Sequence, residues 1–261
     1  MPAPPQNSGP AAPPSIGLVT ICWNAAATIA RTFESVLSQS ALPAEYLVVD
    51  GGSTDGTVEI AAQWAPRFAA AQVSFRLIPQ QRRPGQAGIT SAWNQGLSLI
   101  RGEIIALLNA DDAYLPGALA AIREVFAREN STDAVAGTLR WCNAAGQTTG
   151  LFPPRPLSLL PYLMPLPHPA CFFRRRVYEQ LGFYDPRYRL SADYDFIWRC
   201  VRHGIRWHFL ADELVAMQTG GAANRNRRIA RRDTLHIARH YLPWYDLRPY
   251  IAYFARLLLQ R

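Results

Sequence analysis

The sequence predicts an α/β fold, a mostly parallel sheet sandwiched by helices, with a helical appendage at the C-terminus. Two observations carry that expectation. Short apolar runs at 16–21, 46–49, 73–78 and 104–108 alternate four times with stretches of helical spacing. Such runs suit parallel strands buried on both faces. The fourth run then leads into two adjacent carboxylates, Asp111 and Asp112. Neighbouring carboxylates at the end of a buried strand are costly unless a cation sits beside them. In an open α/β sheet, ligands bind in the crevice beyond the carboxyl ends of the strands.

Residues 1–14 contain six prolines among small and polar residues, so a disordered tail is expected before a domain spanning 15–216. The first strand, 16–21, ends in Cys22-Trp23-Asn24, and 25–39 has helical spacing through Ile29, Phe33, Val36 and Leu37. The second strand ends in Asp50-Gly51-Gly52-Ser53-Thr54-Asp55-Gly56-Thr57, where three glycines allow a tight turn with backbone close to a ligand. A helix from Thr57, a third strand at 73–78, a polar loop at 80–88 holding Arg82 and Arg83, and a helix at 89–100 lead to the fourth strand. Beyond Asp112 the pattern gives a helix at 116–128, a strand at 134–141 and a loop over 150–170 with seven prolines. A short strand at 170–173, a short helix at 174–181 and a helix at 192–203 follow, the last with Asp193 and Asp195 in its first turn. Residues 217–228 read as a mobile basic loop, and 231 onward as helix broken at Leu242-Pro243.

Composition narrows the classes. The chain has 261 residues, 49% hydrophobic and 18% charged, with a net charge of +8; all 27 basic residues are arginines. That balance fits anionic partners such as phosphates or acidic lipid headgroups. The four cysteines are widely spaced with no C-x-x-C, so neither a zinc site nor a disulfide framework is expected. They read as small buried hydrophobes. No stretch approaches the length of a membrane span, and no apolar leader opens the chain. A cytoplasmic protein, peripheral on the inner face of the membrane, is the expectation.

The order of these motifs resembles a family 2 glycosyltransferase of the GT-A fold. The resemblance runs from Ile16 to about Gln218. It rests on Cys22-Trp23-Asn24, the 48–57 run, Arg101-Gly102-Glu103, Leu108-Asn109-Ala110-Asp111-Asp112, His168-Pro169-Ala170-Cys171-Phe172-Phe173-Arg174-Arg175 and 192–199. It implies transfer of a sugar from a nucleoside-diphosphate sugar to an acceptor hydroxyl in a single inverting displacement. In that scheme Asp50 contacts the base or ribose, Asp111 is the metal-binding carboxylate and Asp193 the general base. Asn109 stands where the usual first metal-motif carboxylate would be, which leaves Asp111 as the main protein ligand. Ala192 stands where a Glu often precedes the base.

The chemistry asks for this set. Departure of a nucleoside diphosphate leaves added charge on phosphate oxygens, which a divalent cation, Mg²⁺ or Mn²⁺, stabilises. One or two carboxylates suffice to hold such an ion. Asn24, Gly51 and Asp112 are further candidates for donor contact. Arg82, Arg83 and His168 are candidates for substrate contact, against the plain alternative of a surface histidine at 168. The expected acceptor is a saccharide or lipid-linked saccharide of cell-surface polysaccharide or glycolipid synthesis. The basic, aromatic C-terminal region would contact the membrane surface. Two other readings compete. A sugar-nucleotide nucleotidyltransferase would carry a Gly- and Arg-rich signature with a Lys where this chain has Cys22-Trp23-Asn24. A nucleic-acid binder would interleave basic and aromatic residues on an exposed face; outside 225–232 the arginines are scattered.

Overall fold

The computed structural model describes residues 12–81, 88–143, 145–188, 190–218 and 227–258. Four βα units come first: β1 (Ile16–Cys22), α1 (Ile29–Leu37), β2 (Glu45–Asp50), α2 (Thr57–Ala70), β3 (Ser74–Pro79), α3 (Ile89–Leu99), β4 (Ile104–Leu107) and α4 (Ala118–Arg128), with the two-residue β5 (Ala113–Tyr114) between the last two. There follow β6 (Ala134–Cys142), β7 (Thr148–Phe152), β8 (Cys171–Arg174), α5 (Arg175–Leu181), α6 (Ala192–Arg202), β9 (Trp207–Gln218), α7 (Arg227–Tyr241) and α8 (Arg248–Leu258).

One sheet holds all the strands in the order β3-β2-β1-β4-β8-β6-β9-β5, with β7 paired to β6. The β3-β2-β1-β4 half is parallel. Strand β8 enters antiparallel between β4 and β6, with Ile104 opposite Arg174 and Ala106 opposite Phe172. Its first residue therefore lies beside the carboxyl end of β4. The carboxyl ends of β1, β2 and β4 and the start of β8 share one edge of the sheet, and the segments that leave or enter it there carry Asn24, Asp50, Gly51, Asp111, Asp112 and His168.

Both faces of the sheet are covered, as the uniformly apolar strands require. On one face Val19, Leu47, Val49, Ile105 and Leu107 pack with Trp93 and Leu97 of α3 and with Phe196 and Ile197 of α6. On the other, Leu18, Tyr46, Val48, Ile104 and Ala106 pack with Ile29 and Phe33 of α1 and Phe126 of α4. Gly17 in β1 and Gly102 just before β4 are glycines because the two backbones meet closely there. A Cβ on Gly102 would lie 2.0 Å from the Gly17 backbone nitrogen.

Three segments differ from the sequence expectation. The proline-rich 150–170 stretch begins inside β7 and holds single 3₁₀ turns at Leu157–Leu159 and His168–Ala170. Strand β9 occupies a stretch where periodicity gave no element; it bonds β6 along its length and β5 at Ala216 and Val215. The helix after Asp112 starts at Ala118 rather than 116, behind Gly117 at φ +81°. The expected tail over 1–11 and most of the basic loop, 219–226, lie outside the described residues. The four cysteines are buried free thiols. Among the described residues no helix is long and apolar enough to cross a membrane.

Candidate active site

Beyond β4 the chain turns through Asn109-Ala110-Asp111-Asp112, and α1 holds that turn by its polar face. Arg31 Nη2 donates to the Asp111 carbonyl at 2.6 Å, and Thr32 Oγ1 to the Asp112 carbonyl at 2.7 Å. Ser35 Oγ accepts from the Tyr114 amide, and Gln39 donates to the Leu115 carbonyl. These partners were missed in the sequence. Their signal is visible there: Thr32, Ser35 and Gln39 recur at helical spacing on an otherwise apolar face.

The two carboxylates differ. Asp112 is fully buried. Its Oδ2 accepts from Asn109 Nδ2 at 3.1 Å, and its Oδ1 has no hydrogen-bond partner. Burial, reinforced by the Asp111 charge, holds its carboxyl well above the usual carboxylate range. Asp111 is half-buried, and among the described residues no group donates to its carboxylate. One open carboxylate on a fixed turn, with a second behind it, suits a hard cation that takes its remaining ligands from water and a diphosphate. No cluster of three or more acidic, His or Cys side chains able to hold a metal by itself occurs among the described residues. The donor set fits Mg²⁺ or Mn²⁺ shared with substrate.

The loops after β1 and β2 form the neighbouring floor. Asp50 ends β2, and its Oδ2 accepts from the Gly52 and Ser53 amides at 2.8 and 3.0 Å while Ser53 Oγ donates to Oδ1 at 2.5 Å. Asn24, at φ +51°, accepts from the Thr54 amide on Oδ1 and donates its own amide to Ser53 Oγ. The Gly51 amide reaches the Cys22 carbonyl at 2.8 Å, and a Cβ there would approach that carbonyl and Trp23. Asp50 and Asn24 thus shape the floor with the same side chains expected to meet the donor. Trp23 stands 68% exposed above it.

Asp193 opens α6 from the other side. Its Oδ1 accepts from the Tyr194 amide at 2.8 Å. Burial raises its carboxyl above the ordinary value, countered in part by His168. His168, read above with a surface alternative, is 7% exposed. Its Nε2 shares a hydrogen bond with Tyr184 Oη at 2.8 Å, and its ring packs 4.9 Å from Trp93. Burial holds its pKa below the ordinary histidine value. Tyr184 and Trp93 went unnoticed in the sequence, where nothing sets them apart from core aromatics. Asp195, by contrast, is tied to Arg199 Nε at 3.0 Å and to Tyr241 Oη at 2.8 Å, which anchors α7 onto α6. Arg82 and Arg83 lie outside the described residues.

The fold and this edge have counterparts. The model for Glycosyl transferase family 2 matches residues 18–182, more than half of the chain. A PGL/p-HBAD biosynthesis glycosyltransferase of Mycobacterium bovis is 30% identical over 190 residues, covering 72% of this chain and 70% of that protein. The succinoglycan biosynthesis protein ExoU of Rhizobium meliloti is 26% identical over 225 residues, 77% of this chain and 60% of that protein. Among solved structures, the mannosyltransferase PcManGT from Pyrobaculum calidifontis, in complex with GDP-Man and Mn²⁺, superposes with a TM-score of 0.65 at 19% identity over 96% of this chain and 71% of that one. S. aureus TarS 1-349 with UDP-GlcNAc gives 0.64 at 13% identity, covering 87% and 71%. Against the longer TarS chain this protein spans 42% of the length. The sheet is that of the GT-A glycosyltransferases, and the chain belongs to glycosyl transferase family 2 and is a glycosyltransferase.

Proposed function

We propose that this enzyme transfers a sugar from a nucleoside-diphosphate sugar to an acceptor hydroxyl, with inversion and with help from Mg²⁺ or Mn²⁺. The observation that carries the reading is the half-buried Asp111 carboxylate, which receives no hydrogen bond among the described residues, on the turn after β4 at the strand-end edge where β2 ends in Asp50. A bound divalent ion would supply charge neutralisation for the departing diphosphate. Asp111 would hold it, and Asp112 would keep Asn109 and the turn in place behind it. Asp50, Gly51 and Asn24 would present the floor to the nucleoside, with Trp23 available for stacking. Asp193 would take the acceptor proton on Oδ2, which receives no hydrogen bond among the described residues, and its raised pKa makes it a stronger base than an ordinary aspartate. His168, held by Tyr184, would face the acceptor beside it. The relatives named for PGL/p-HBAD and succinoglycan biosynthesis support a saccharide or lipid-linked acceptor here.

The test is calorimetric titration of UDP, GDP and dTDP, with and without Mn²⁺, on wild type and Asp111→Asn. One nucleotide should bind tightly, in a metal-dependent way, and lose at least tenfold in affinity in the variant. Binding that ignores both the metal and Asp111 would overturn the assignment.

A further inference from the structure

The C-terminal helix pair carries an apolar surface that the transfer reaction does not use. Helix α8 packs on α7 by one side, where Ala252, Tyr253 and Arg256 face Arg231, Leu235 and Ala238 across a narrow groove. Among the described residues the opposite side of α8 is uncovered. Leu247, Ile251 and Phe254, at spacings of four and three, are 64%, 61% and 57% exposed. The preceding turn adds Trp244 at 86% and Tyr245 at 68%. Five of the large exposed hydrophobic side chains thus fall within eleven residues. Single exposed apolar residues are ordinary, whereas a contiguous stripe marks a docking face.

Charge says what the stripe meets. Segment 227–258 holds seven arginines against two aspartates. Arg248 pairs with Asp246. Arg228, Arg231, Arg232, Arg239 and Arg256 have no carboxylate partner among the described residues. Arg256 is partly buried next to Arg231, and both burial and that neighbouring charge lower its pKa. A twofold contact between copies would bring this unneutralised surface against its own likeness. A surface of negative charge over hydrocarbon satisfies both halves. Aromatic and aliphatic side chains enter the headgroup boundary, and arginines with long apolar stems reach the phosphates.

We propose that the outer face of α8 and the 242–247 turn dock the enzyme on an anionic lipid bilayer. The docking face shares no residue with the donor site. If the acceptor is lipid-linked, as the functional reading allows, docking holds the site where that acceptor resides.

The experiment is co-sedimentation of the full chain with vesicles of phosphatidylcholine alone or phosphatidylcholine mixed with phosphatidylglycerol, at low and high salt. Binding should require phosphatidylglycerol and weaken as salt screens it. Ile251→Glu with Phe254→Glu should reduce partitioning at least tenfold, and Arg228→Gln with Arg232→Gln by about fivefold per charge removed. Circular dichroism and nucleotide titration on the same samples should match wild type, since these side chains are exposed. Equal binding to both vesicle types, no binding to either, or a charged double variant that sediments like wild type would overturn the proposal. So would a chain that dimerises without lipid and becomes monomeric on Phe254→Glu. Nucleotide binding without vesicle binding defeats docking alone, and the reverse result defeats the donor reading alone.

Discussion

Arg174 sits at the end of β8 with its guanidinium under the C-terminus of α4, and replacing it with Met has a cost that can be worked bond by bond. Its Nη2 donates to the Phe126 carbonyl at 2.7 Å and to the Glu129 carbonyl at 3.4 Å, and its Nε to the Thr132 carbonyl at 2.9 Å. The last carbonyls of a helix have no partner within it and favour a cation. Not all three are orphaned by the substitution. Thr132 keeps a bond from Arg176 Nη2 at 3.3 Å, and Glu129 keeps one from the Thr132 amide at 3.0 Å. Phe126 alone is left without a donor among the described residues. An unpaired buried carbonyl costs about 1–3 kcal/mol, and a lost bond to a charged donor about 1.5–3. Relief of the guanidinium's own burial offsets part of this. Met preserves the stem against the Phe126 ring, over which the guanidinium now lies at 5.0 Å. The net expectation is a loss of about 2–4 kcal/mol, seen as a fall in melting temperature of roughly 5–15 °C for a chain of this size. Urea unfolding with an unchanged m-value is the assay. Arg174→Lys should recover only part, because an ammonium reaches one carbonyl where the fork reaches three. A loss under about 0.5 kcal/mol for Met, or full recovery by Lys, would refute the reasoning.

Three further outcomes are expected. Gly102→Ala drives a methyl group to 2.0 Å from the Gly17 nitrogen and 2.6 Å from its Cα, both backbone atoms of the paired strand. It should cost about 3 kcal/mol or more, and soluble protein within about 1 kcal/mol of wild type in a denaturation series would contradict it. Asp193→Asn should lower kcat about 10²–10⁴-fold while nucleotide affinity holds within about twofold. In wild type the rate should fall as pH drops through the raised pKa of Asp193, so the acid limb lies above the ordinary carboxylate range. At Asp133 burial raises the pKa, but Arg206 and Arg176 outweigh it and leave the group below its usual value. A depressed carboxylate stabilises the fold above its unfolded pKa, and that contribution is lost as pH falls through the folded one. Asp133→Asn should therefore cost about 1–2 kcal/mol at neutral pH, its partners being partly solvated, and the difference should fade as pH drops through the lowered pKa of Asp133. A pH-independent difference in melting temperature would count against it.

The parallel half of the sheet was legible because β1, β2 and β4 are largely apolar and buried along their length and each connection carries helical spacing. The far half was not. Strand β9 mixes Asp212 and Glu213 with buried Leu214 and Val215, because its pairing with β6 shifts register twice and it shows no single period. Strand β7 is a five-residue edge next to a run of prolines, and composition hid it. At the site, the acidic residues were found because two carboxylates after an apolar strand are unusual. Their supports were not, since Thr32, Ser35 and Tyr184 act through where they lie rather than through what they are. The FFRR run shows the opposite limit. It carries part of the family resemblance, yet its arginines are structural: Arg174 serves α4, and Arg175 Nη2 bonds the Ile100 and Gly102 carbonyls that lead into β4.

The cross-links between the first two loops bear on how a nucleotide is received. Asn24, Ala25 and Ala26 donate their amides to Ser53, Thr57 and Asp55, and Thr54 returns one to Asn24. The two loops therefore behave as one rigid plate, and much of their ordering entropy is lost when the chain folds rather than when ligand arrives. Such a plate binds in a shape close to its free one. Backbone amides at 24–26 and 52–54 should exchange with solvent as a single cooperative unit, and loosening Ser53 on one loop should be felt at Ala26 on the other.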